Sequence, residues 1–364
     1  MHGIKMRNRK ELFGLKPFEL SRDEKREYYG NIMQELTLKH DNNCVEYHNM
    51  LKTFGFNPEI PHDIEDYPFL PVRLFKEYEL RSVPKENIIK TMTSSGTTGQ
   101  RVSKIFLDKE TSVNQSTALA RITMDMLGGK RFPMLIIDTR NVIKDRKMFS
   151  ARGAGILGFS MFGRDNTFAL DENMQLDFKT VEAFLERYRE ETILLFGFTF
   201  MVWEHFYKVL RDSERKLDFS NGVLLHGGGF KKLAAEAIDN DTYKKKLNEV
   251  CGIKRVCNYY GMVEQTGSIF MECECGRLHA SNYSDVIIRN PSDFSVCKTG
   301  ETGLIQLMSV LPDSYPGHNI LSEDLGQLIG EDDCPCGRKG KTFRILGRIK
   351  NAEVRGCSDT YERR

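Results

Sequence analysis

Hydroxyl and glycine residues crowd one short segment of the chain, which reads TSSGTTGQRVSK from Thr93 to Lys104. Such a segment packs poorly, but the N–H groups of a glycine-rich turn converge on phosphate oxygens, and Ser and Thr hydroxyls add donors. A lysine at the end of the loop supplies a mobile positive charge. The segment therefore predicts a triphosphate-binding loop, although an exposed flexible loop has a similar composition. Its candidate ligands are Thr93, Ser94, Ser95, Gly96, Thr97, Thr98, Gly99 and Lys104.

Four of the nine cysteines form two C-x-C pairs, each followed by glycine and arginine. The pairs are Cys273 with Cys275 and Cys334 with Cys336. Four thiolates make a closed tetrahedral site, which is typical of structural Zn²⁺. His279 and His318 are additional nitrogen ligands if one cysteine is not used. Free buried thiols are the next interpretation, and a disulfide is the last in a reducing compartment.

The overall composition is that of an ordinary globular protein, with 364 residues, 40% hydrophobic and 29% charged. Lys and Arg number 53 and Asp and Glu 51, which gives a net charge of +2. This balance argues against a nucleic-acid or membrane-surface role that depends on net charge. The length indicates one large domain with subdomains, or two domains.

No segment reaches the roughly 18 apolar residues that a bilayer span requires. The longest apolar run, Thr192–Trp203, is short and is flanked by Glu191 and Glu204. The first residues, MHGIKMRNRKELFG, contain basic side chains but no apolar stretch after them, so they do not resemble a secretory signal. We therefore expect a cytoplasmic protein with no membrane span and with reduced cysteines.

The apolar pattern divides the chain into three parts. Residues 1–90 are expected to be largely helical, because apolar residues recur at near-helical spacing in Glu24–Leu38. Residues 91–345 alternate short continuous apolar runs, such as Pro133–Asp138, with helical segments, which predicts an α/β fold. From about 280 to 345 this body becomes rich in β-strands, and 346–364 form a short tail.

Two common nucleotide motifs are absent. No Lys-Ser or Lys-Thr pair follows a glycine at the P-loop spacing, and the Rossmann G-x-G-x-x-G is missing. Three consecutive glycines, Gly227, Gly228 and Gly229, follow an apolar run instead. They would let the backbone approach a flat ligand such as an adenine edge, or they form a tight strand-to-helix turn.

The hydroxyl-rich loop resembles the signature loop of the adenylate-forming superfamily, which includes acyl-CoA synthetases and firefly luciferase. Further segments resemble that family's motifs and occur in the family's order. They are Gly227–Gly229, Tyr259–Glu264 (YYGMVE), Gly300–Gly303 (GETG), Ser322–Asp324 (SED), and Gly347–Lys350 (GRIK) followed by Arg355 and Gly356. The resemblance implies a layered α/β fold that activates a carboxylic acid with ATP and Mg²⁺.

The resemblance also implies a role for individual residues. Glu264 would hold Mg²⁺ against the phosphates, and Tyr260, next to Gly261, would pack near the adenine or the acyl carboxylate. Asp324 would accept hydrogen bonds from both ribose hydroxyls, and Arg348 would reach the ribose or the α-phosphate. Val263 departs from the family pattern, which has threonine at that position.

The chain also departs from the family after the hinge motif. Family members continue into a small lid domain that delivers a catalytic lysine, whereas here fourteen residues without lysine follow Lys350. Either Lys104 or Arg348 does that work, or adenylation is slow. One branch, the acyl-protein synthetases of bacterial bioluminescence, resembles the chain in length, in its S-S-G-T-T-G loop and in a cysteine near the C-terminus. That cysteine would be Cys357, which takes the acyl group before a partner reductase or carrier receives it.

The leading prediction is thus an acyl-protein synthetase that acts on a carboxylic acid, which the resemblance implies is a fatty acid. An acyl- or aryl-CoA ligase of the phenylacetate type is the first alternative, and an inactive zinc-stabilised scaffold is the second. Four aromatic residues either line an acyl tunnel or belong to the core. They are Phe196, Phe198, Phe200 and Trp203.

Overall fold

The structure of the protein, a computed structural model, describes residues 8–94, 101–143, 151–230, 233 and 236–349. Ten α-helices lie within these ranges. They are α1 (Arg9–Leu12), α2 (Arg22–Asn43), α3 (Val45–Phe54), α4 (Leu74–Glu77), α5 (Lys109–Leu127), α6 (Ala151–Ser160), α7 (Phe178–Arg187), α8 (Thr199–Val202), α9 (Lys208–Arg211) and α10 (Asn240–Cys251). Within the described ranges, no helix combines the length and the apolar character needed to cross a membrane.

The same ranges contain fourteen β-strands. The strands are β1 (Leu70–Pro71), β2 (Lys90–Thr93), β3 (Lys104–Leu107), β4 (Phe132–Thr139), β5 (Gly163–Leu170), β6 (Ile193–Phe198), β7 (Gly222–Gly227), β8 (Arg255–Tyr260), β9 (Phe270–Glu272), β10 (Leu278–His279), β11 (Ser284–Arg289), β12 (Thr302–Ser309), β13 (Asn319–Glu331) and β14 (Lys341–Arg348). The chain separates into two compact units, the first made mainly of residues 127–260.

Residues 127–260 contain a parallel sheet with the strand order β5-β4-β6-β7-β8. Strands β6 and β7 are buried along their whole length, as their continuous apolar sequences predict for a sheet covered on both faces. Because all five strands run in one direction, their carboxyl ends lie at one edge of the sheet, where open α/β folds bind their ligands.

The described part of the second unit comprises residues 8–94, 101–126 and 261–349. Its sheet has the order β11-β12-β13-β14-β10-β9 with antiparallel neighbours, and β1 pairs with β13 in parallel. Strands β2 and β3 form a separate antiparallel pair. The predicted α/β fold with a β-rich late section is therefore confirmed.

The long helix α2 accounts for much of the predicted helical N-terminal part. It begins at Ser21, whose backbone N–H donates to the Glu24 side chain at 2.9 Å, as in a capping box. Ile32, Met33 and Leu36 form part of its buried face, at the i, i+1 and i+4 spacing of an amphipathic helix. This packing fixes the helix against the second unit's own core.

Candidate active site

The hydroxyl-rich loop starts and ends on the strand pair β2 and β3, in which Thr93 lies opposite Lys104. Just beyond the strands, the Ser94 N–H donates to the Ser103 carbonyl oxygen at 3.1 Å, and the Ser103 N–H donates to Ser94 Oγ at 2.9 Å. Two hydrogen bonds thus close the base of the loop. The predicted ligands Ser95, Gly96, Thr97, Thr98 and Gly99 lie outside the described residues.

Glu264 is held directly beneath this base. It occupies a short 3₁₀ turn, Val263–Gln265, and its carboxylate Oε1 accepts a hydrogen bond from Ser103 Oγ at 2.7 Å. Both side chains are fully buried, at 0% exposure. The Glu264 backbone oxygen accepts a second bond, from the Tyr315 hydroxyl at 2.9 Å. The structure therefore links the predicted magnesium ligand to the predicted phosphate loop through a residue that the motif comparison did not single out.

Lys104 has a different environment. Its Nζ lies 3.1 Å from Glu79 Oε1, both side chains are about half exposed, and the hydrogen bond lowers the pKa of Glu79. Successive residues of an extended chain point to opposite sides. Since Ser103 points to Glu264, Lys104 points away from it, and the structure does not bring these two predicted catalytic residues together.

Asp324 and Arg348 lie opposite each other where β13 pairs with β14. Arg348 Nε is 2.8 Å from Asp324 Oδ1, and the Asp324 side chain is only 12% exposed. The Asp324 N–H donates to Ser322 Oγ at 3.2 Å, and the Ser322 hydroxyl donates to the Ile305 backbone oxygen at 2.7 Å. The neighbouring Glu323 accepts a hydrogen bond from Arg73. Two residues predicted from separate motifs are thus in direct contact.

The three glycines occupy the carboxyl end of β7 in the unit of residues 127–260. Gly227 pairs with Tyr259 of β8, and a Cβ on Gly227 would lie 2.6 Å from the Tyr259 ring. Gly228 and Gly229 have φ angles of 83° and 65°, which favour glycine. Tyr260 ends β8 at the same edge of the sheet. Gly261 belongs to the second unit.

The four aromatic residues proposed for an acyl tunnel are buried within the unit of residues 127–260. Phe196 stacks on Phe159 at 4.7 Å between ring centroids, and Phe198 packs edge-on against Phe196. Trp203 stacks on Tyr207. These contacts are those of a packed core, which was the plainer of the two interpretations.

Three cysteines from the two C-x-C pairs meet one histidine in the second unit. The sulfur atoms of Cys273 and Cys334 are 3.7 Å apart, and Cys336 Sγ lies 3.4 Å from His279 Nε2. All four ligand atoms lie within 4.8 Å of one another. Tetrahedral Zn²⁺ with bonds of about 2.0–2.3 Å places its ligand atoms roughly 3.4–3.8 Å apart, so the donor set and its spacing fit zinc.

The group differs from the predicted four cysteines, because His279 takes part and the exposed Cys275 falls outside it. The Gly276 N–H donates to the Cys273 carbonyl oxygen at 2.9 Å, which closes a tight turn with Cys275 at its exposed side. Strand β10 then returns beside β9 and carries His279 back to the cysteines. Burial lowers the pKa of His279 to about 4, so its imidazole is neutral and able to bind metal.

His318, the other spare ligand, lies in a separate buried cluster. Its Nε2 is 3.1 Å from Thr37 Oγ1 and 3.3 Å from the Tyr47 hydroxyl, and its ring stacks on His40. Its environment is that of a core histidine. Arg348 is described, whereas Lys350 and Cys357 lie outside the described residues.

Comparison with known families adds to this geometry. The family described as "Acyl-protein synthetase, LuxE" matches residues 8–364, nearly the whole chain. The chain belongs to this family. This acyl-protein synthetase is therefore an AMP-forming acid–thiol ligase, and the family resemblance inferred from its motifs is confirmed.

Two curated proteins are similar to this acyl-protein synthetase over most of its length. The long-chain-fatty-acid–luciferin-component ligase of Aliivibrio fischeri is 24% identical, covering 95% of this chain and 91% of the relative. The protein of the same name from Vibrio harveyi is 21% identical, covering 94% and 89%.

Solved structures of 2-hydroxyisobutyryl-CoA ligase share the fold. The open conformation in complex with 2-HIB-AMP and CoA has a TM-score of 0.70 at 15% identity, covering 92% of this chain and 72% of that one. The postadenylation state with 2-HIB-AMP also has a TM-score of 0.70 at 15% identity, covering 92% and 70%. At this identity the likeness establishes the fold alone, which is that of an adenylate-forming ligase.

Sequence analysis missed two residues beside the site and gave a third, His279, only a secondary place. Ser103 is one hydroxyl among many near the loop, and only its contact with Glu264 distinguishes it. Tyr315 holds the Glu264 backbone from a segment fifty-one residues away in sequence. His279 was considered only as a spare ligand, and its place three residues after Gly276 is the signal that favours it over His318.

Proposed function

We propose that this acyl-protein synthetase uses ATP and Mg²⁺ to activate a carboxylic acid and then transfers the acyl group to a thiol. A carboxylate oxygen attacks the α-phosphorus of ATP, the bond to the β-phosphate oxygen breaks, and pyrophosphate leaves as acyl-AMP forms. A thiolate then attacks the acyl carbon, the bond to the AMP oxygen breaks, and a thioester and AMP result. The acceptor is Cys357 in the first instance, followed by a partner reductase or carrier protein.

The observation that carries the proposal is the position of Glu264 at the base of the hydroxyl-rich loop. A buried carboxylate is costly unless hydrogen bonds compensate it, and Ser103 supplies such a bond at 2.7 Å. A scaffold protein has no need for a carboxylate held in this way beside a phosphate-binding sequence. We infer that the loop binds the phosphates and that Asp324 and Arg348 bind the ribose side of the nucleotide.

Mg²⁺ fits the chemistry of Glu264, because it prefers hard oxygen donors such as a carboxylate together with the oxygens of phosphates. When bound, the ion would neutralise negative charge on the triphosphate. The part played by the chain is to fix the carboxylate, through Ser103 at its side chain and Tyr315 at its backbone. We assign adenine to the glycines that end β7, since their missing side chains allow close approach of a flat ring.

The acid we propose is a long-chain fatty acid, on the basis of the names of the two curated relatives. A CoA ligase reaction remains the alternative, because the solved neighbour is a CoA ligase that carries an acyl-adenylate in its complexes. The two reactions share the first step and differ in the thiol that receives the acyl group.

The test is labelling of the full chain with a radioactive fatty acid in the presence of ATP and Mg²⁺. We expect label that hydroxylamine releases, and we expect Cys357→Ser to remove it while Cys297→Ser, a half-exposed cysteine elsewhere, retains it. Equal labelling of Cys357→Ser excludes self-acylation at that residue. Release of acyl-CoA on addition of CoA, without label on the chain, supports the CoA ligase instead. Absence of pyrophosphate exchange with acids of every length favours the scaffold.

We also propose that Cys273, His279, Cys334 and Cys336 hold a structural Zn²⁺. The support is the donor set and the short spacing of its four atoms. A site with four protein ligands leaves no position for water, so its role is to hold the β9–β10 hairpin and the segment between β13 and β14 together. It takes no part in the reaction.

A further inference from the structure

Ser103 occupies an unusual position, because its side chain contacts Glu264 and its backbone contacts Ser94 at the base of the hydroxyl-rich loop. It is fully buried, and its hydroxyl donates to Glu264 Oε1 at 2.7 Å. A carboxylate oxygen only accepts, so the serine is necessarily the donor. A hydrogen bond to a charged acceptor is about twice as strong as a neutral one.

The same residue also closes the loop. Its backbone N–H donates to Ser94 Oγ, and its carbonyl oxygen accepts from the Ser94 N–H, at 2.9 and 3.1 Å. Ser94 Oγ therefore points toward the Ser103 backbone at the base of the loop. Displacement of the loop base accordingly moves the atom that fixes the Glu264 carboxylate.

The backbone of Glu264 is secured independently of Ser103. Its carbonyl oxygen accepts from the Tyr315 hydroxyl at 2.9 Å, and that hydroxyl accepts from Gln115 Nε2 at 3.2 Å. The next residue, Gln265, donates through Nε2 to the backbone oxygens of Leu307 and Gly317 at 3.0 and 2.9 Å. Loss of the Ser103 hydroxyl would consequently leave the 3₁₀ turn in place and remove one hydrogen bond from the carboxylate.

We propose that Ser103 is a positioning residue, which aims the Glu264 carboxylate at the metal of MgATP and couples that aim to the phosphate loop. This inference rests on the proposed function. Because Ser103 is fully buried, we infer that it acts through Glu264 and Ser94 and makes no direct contact with nucleotide or acid. Removal of the Ser103 hydroxyl should weaken the contribution of Mg²⁺ to nucleotide binding and leave the metal-independent part of the binding unchanged.

The experiment is calorimetric titration of the full chain with ATP, with Mg²⁺ in excess and with EDTA. We expect Ser103→Ala to reduce the gain in ATP affinity on adding Mg²⁺ about tenfold, the effect of one lost hydrogen bond to a charged group. In EDTA, the affinity of Ser103→Ala for ATP should equal that of the unchanged chain. The control is Ser116→Ala on α5, whose exposed hydroxyl donates only to the Ser112 backbone oxygen and should have no effect.

An unaltered Mg²⁺ gain in Ser103→Ala, or an equal loss with Mg²⁺ and with EDTA, overturns the inference. If Ser103→Ala fails to fold, Ser103→Cys keeps the volume but donates weakly, and the same comparison decides. If the unchanged chain itself gains no ATP affinity from Mg²⁺, the proposed function fails first. The two failures are therefore distinct.

Discussion

Arg348 Nε lies 2.8 Å from Asp324 Oδ1, across the pairing of β13 and β14. The pairing of two strands therefore sets the distance between an anionic and a cationic group of the proposed nucleotide site. A carboxylate has about four lone-pair positions, so Asp324 can keep Arg348 and still accept from ribose hydroxyls. In this arrangement the arginine orients the aspartate before the nucleotide binds.

Asp324→Asn should weaken ATP binding by about tenfold, because the amide loses one acceptor oxygen and the charge that strengthens hydrogen bonds. The decisive comparison uses 2′,3′-dideoxy-ATP, which lacks both ribose hydroxyls. The unchanged chain should prefer ATP to this analogue, and Asp324→Asn should lose that preference. Asp333→Asn, at an exposed acid that pairs with Arg277, is the matched control. A retained preference in Asp324→Asn would show that the aspartate has another role.

Metal analysis of the purified chain should give about one zinc per chain, as four protein ligands require. Cys334→Ser and His279→Gln should each lose the metal and lower the melting temperature, whereas Cys275→Ser should keep both. This contrast separates the observed group from a four-cysteine site. Loss of zinc from Cys275→Ser with retention in His279→Gln would reverse the assignment. If the unchanged chain and all variants contain no zinc, the cysteines are free thiols and the metal site is wrong.

Acid should destabilise the protein through its buried histidines. Burial lowers the pKa of His40 and of His226 to about 3. In the unfolded chain a histidine titrates near 6.5, so below that pH the unfolded state binds more protons and the free energy of unfolding falls. Each such histidine should contribute a slope of about 1.4 kcal/mol per pH unit, present between roughly pH 3 and 6.5 and absent above it.

The histidine prediction is measured by urea unfolding at pH 7.5, 5.5 and 4.5. His40 receives a hydrogen bond from Ser82 and donates from Nε2 to the Pro312 oxygen, so His40→Asn will also lose stability at neutral pH. The diagnostic quantity is the slope, which should decrease in His40→Asn. It should not change in Asn42→Ala, on the same helix, where an exposed side chain that does not titrate donates to the Leu38 backbone oxygen. An unchanged slope in His40→Asn would contradict the prediction.

The glycines that end β7 should differ in their tolerance of substitution. In Gly227→Ala the new Cβ would lie 2.6 Å from the Tyr259 ring and 2.7 Å from its backbone oxygen, so the neighbouring strand must move at a cost of about 1–3 kcal/mol. Gly229 has open space around a Cβ and a φ of 65°, which asparagine adopts readily. Gly229→Asn should therefore retain a higher melting temperature than Gly227→Ala. The reverse order of melting temperatures would show that the turn, rather than the contact with the neighbouring strand, limits which side chains this segment tolerates.

The fold was largely predictable because its strongest signals are local. The apolar run Pro133–Asp138 lies within β4, and Glu24–Leu38 lies within α2. Burial on both faces leaves such a run continuous, and a half-buried helix repeats its apolar residues at a fixed spacing. The division of the chain into two units was less visible in the sequence, because residues 8–94 share a compact unit with residues 261–349 through contacts distant in sequence.

Sequence motifs proposed the residues of the candidate site but gave no indication of their partners. Motif order pointed to Glu264, Asp324 and Arg348, yet no spacing indicates that Arg348 contacts Asp324 or that Glu264 contacts Ser103. Those contacts follow from strand register and from tertiary packing. Lys104 was predicted to supply a positive charge to the loop, whereas the alternation of an extended chain turns it toward Glu79.

The alternation at Ser103 and Lys104 has a consequence for how this loop is able to evolve. Side chains along an extended segment change sides at every residue, so a single-residue insertion or deletion that slides the segment would exchange the two positions. A lysine would then face the buried glutamate and a serine would face Glu79. Among length changes that slide the segment, an even step therefore keeps residue sides unchanged, and an odd step removes the hydroxyl from the carboxylate.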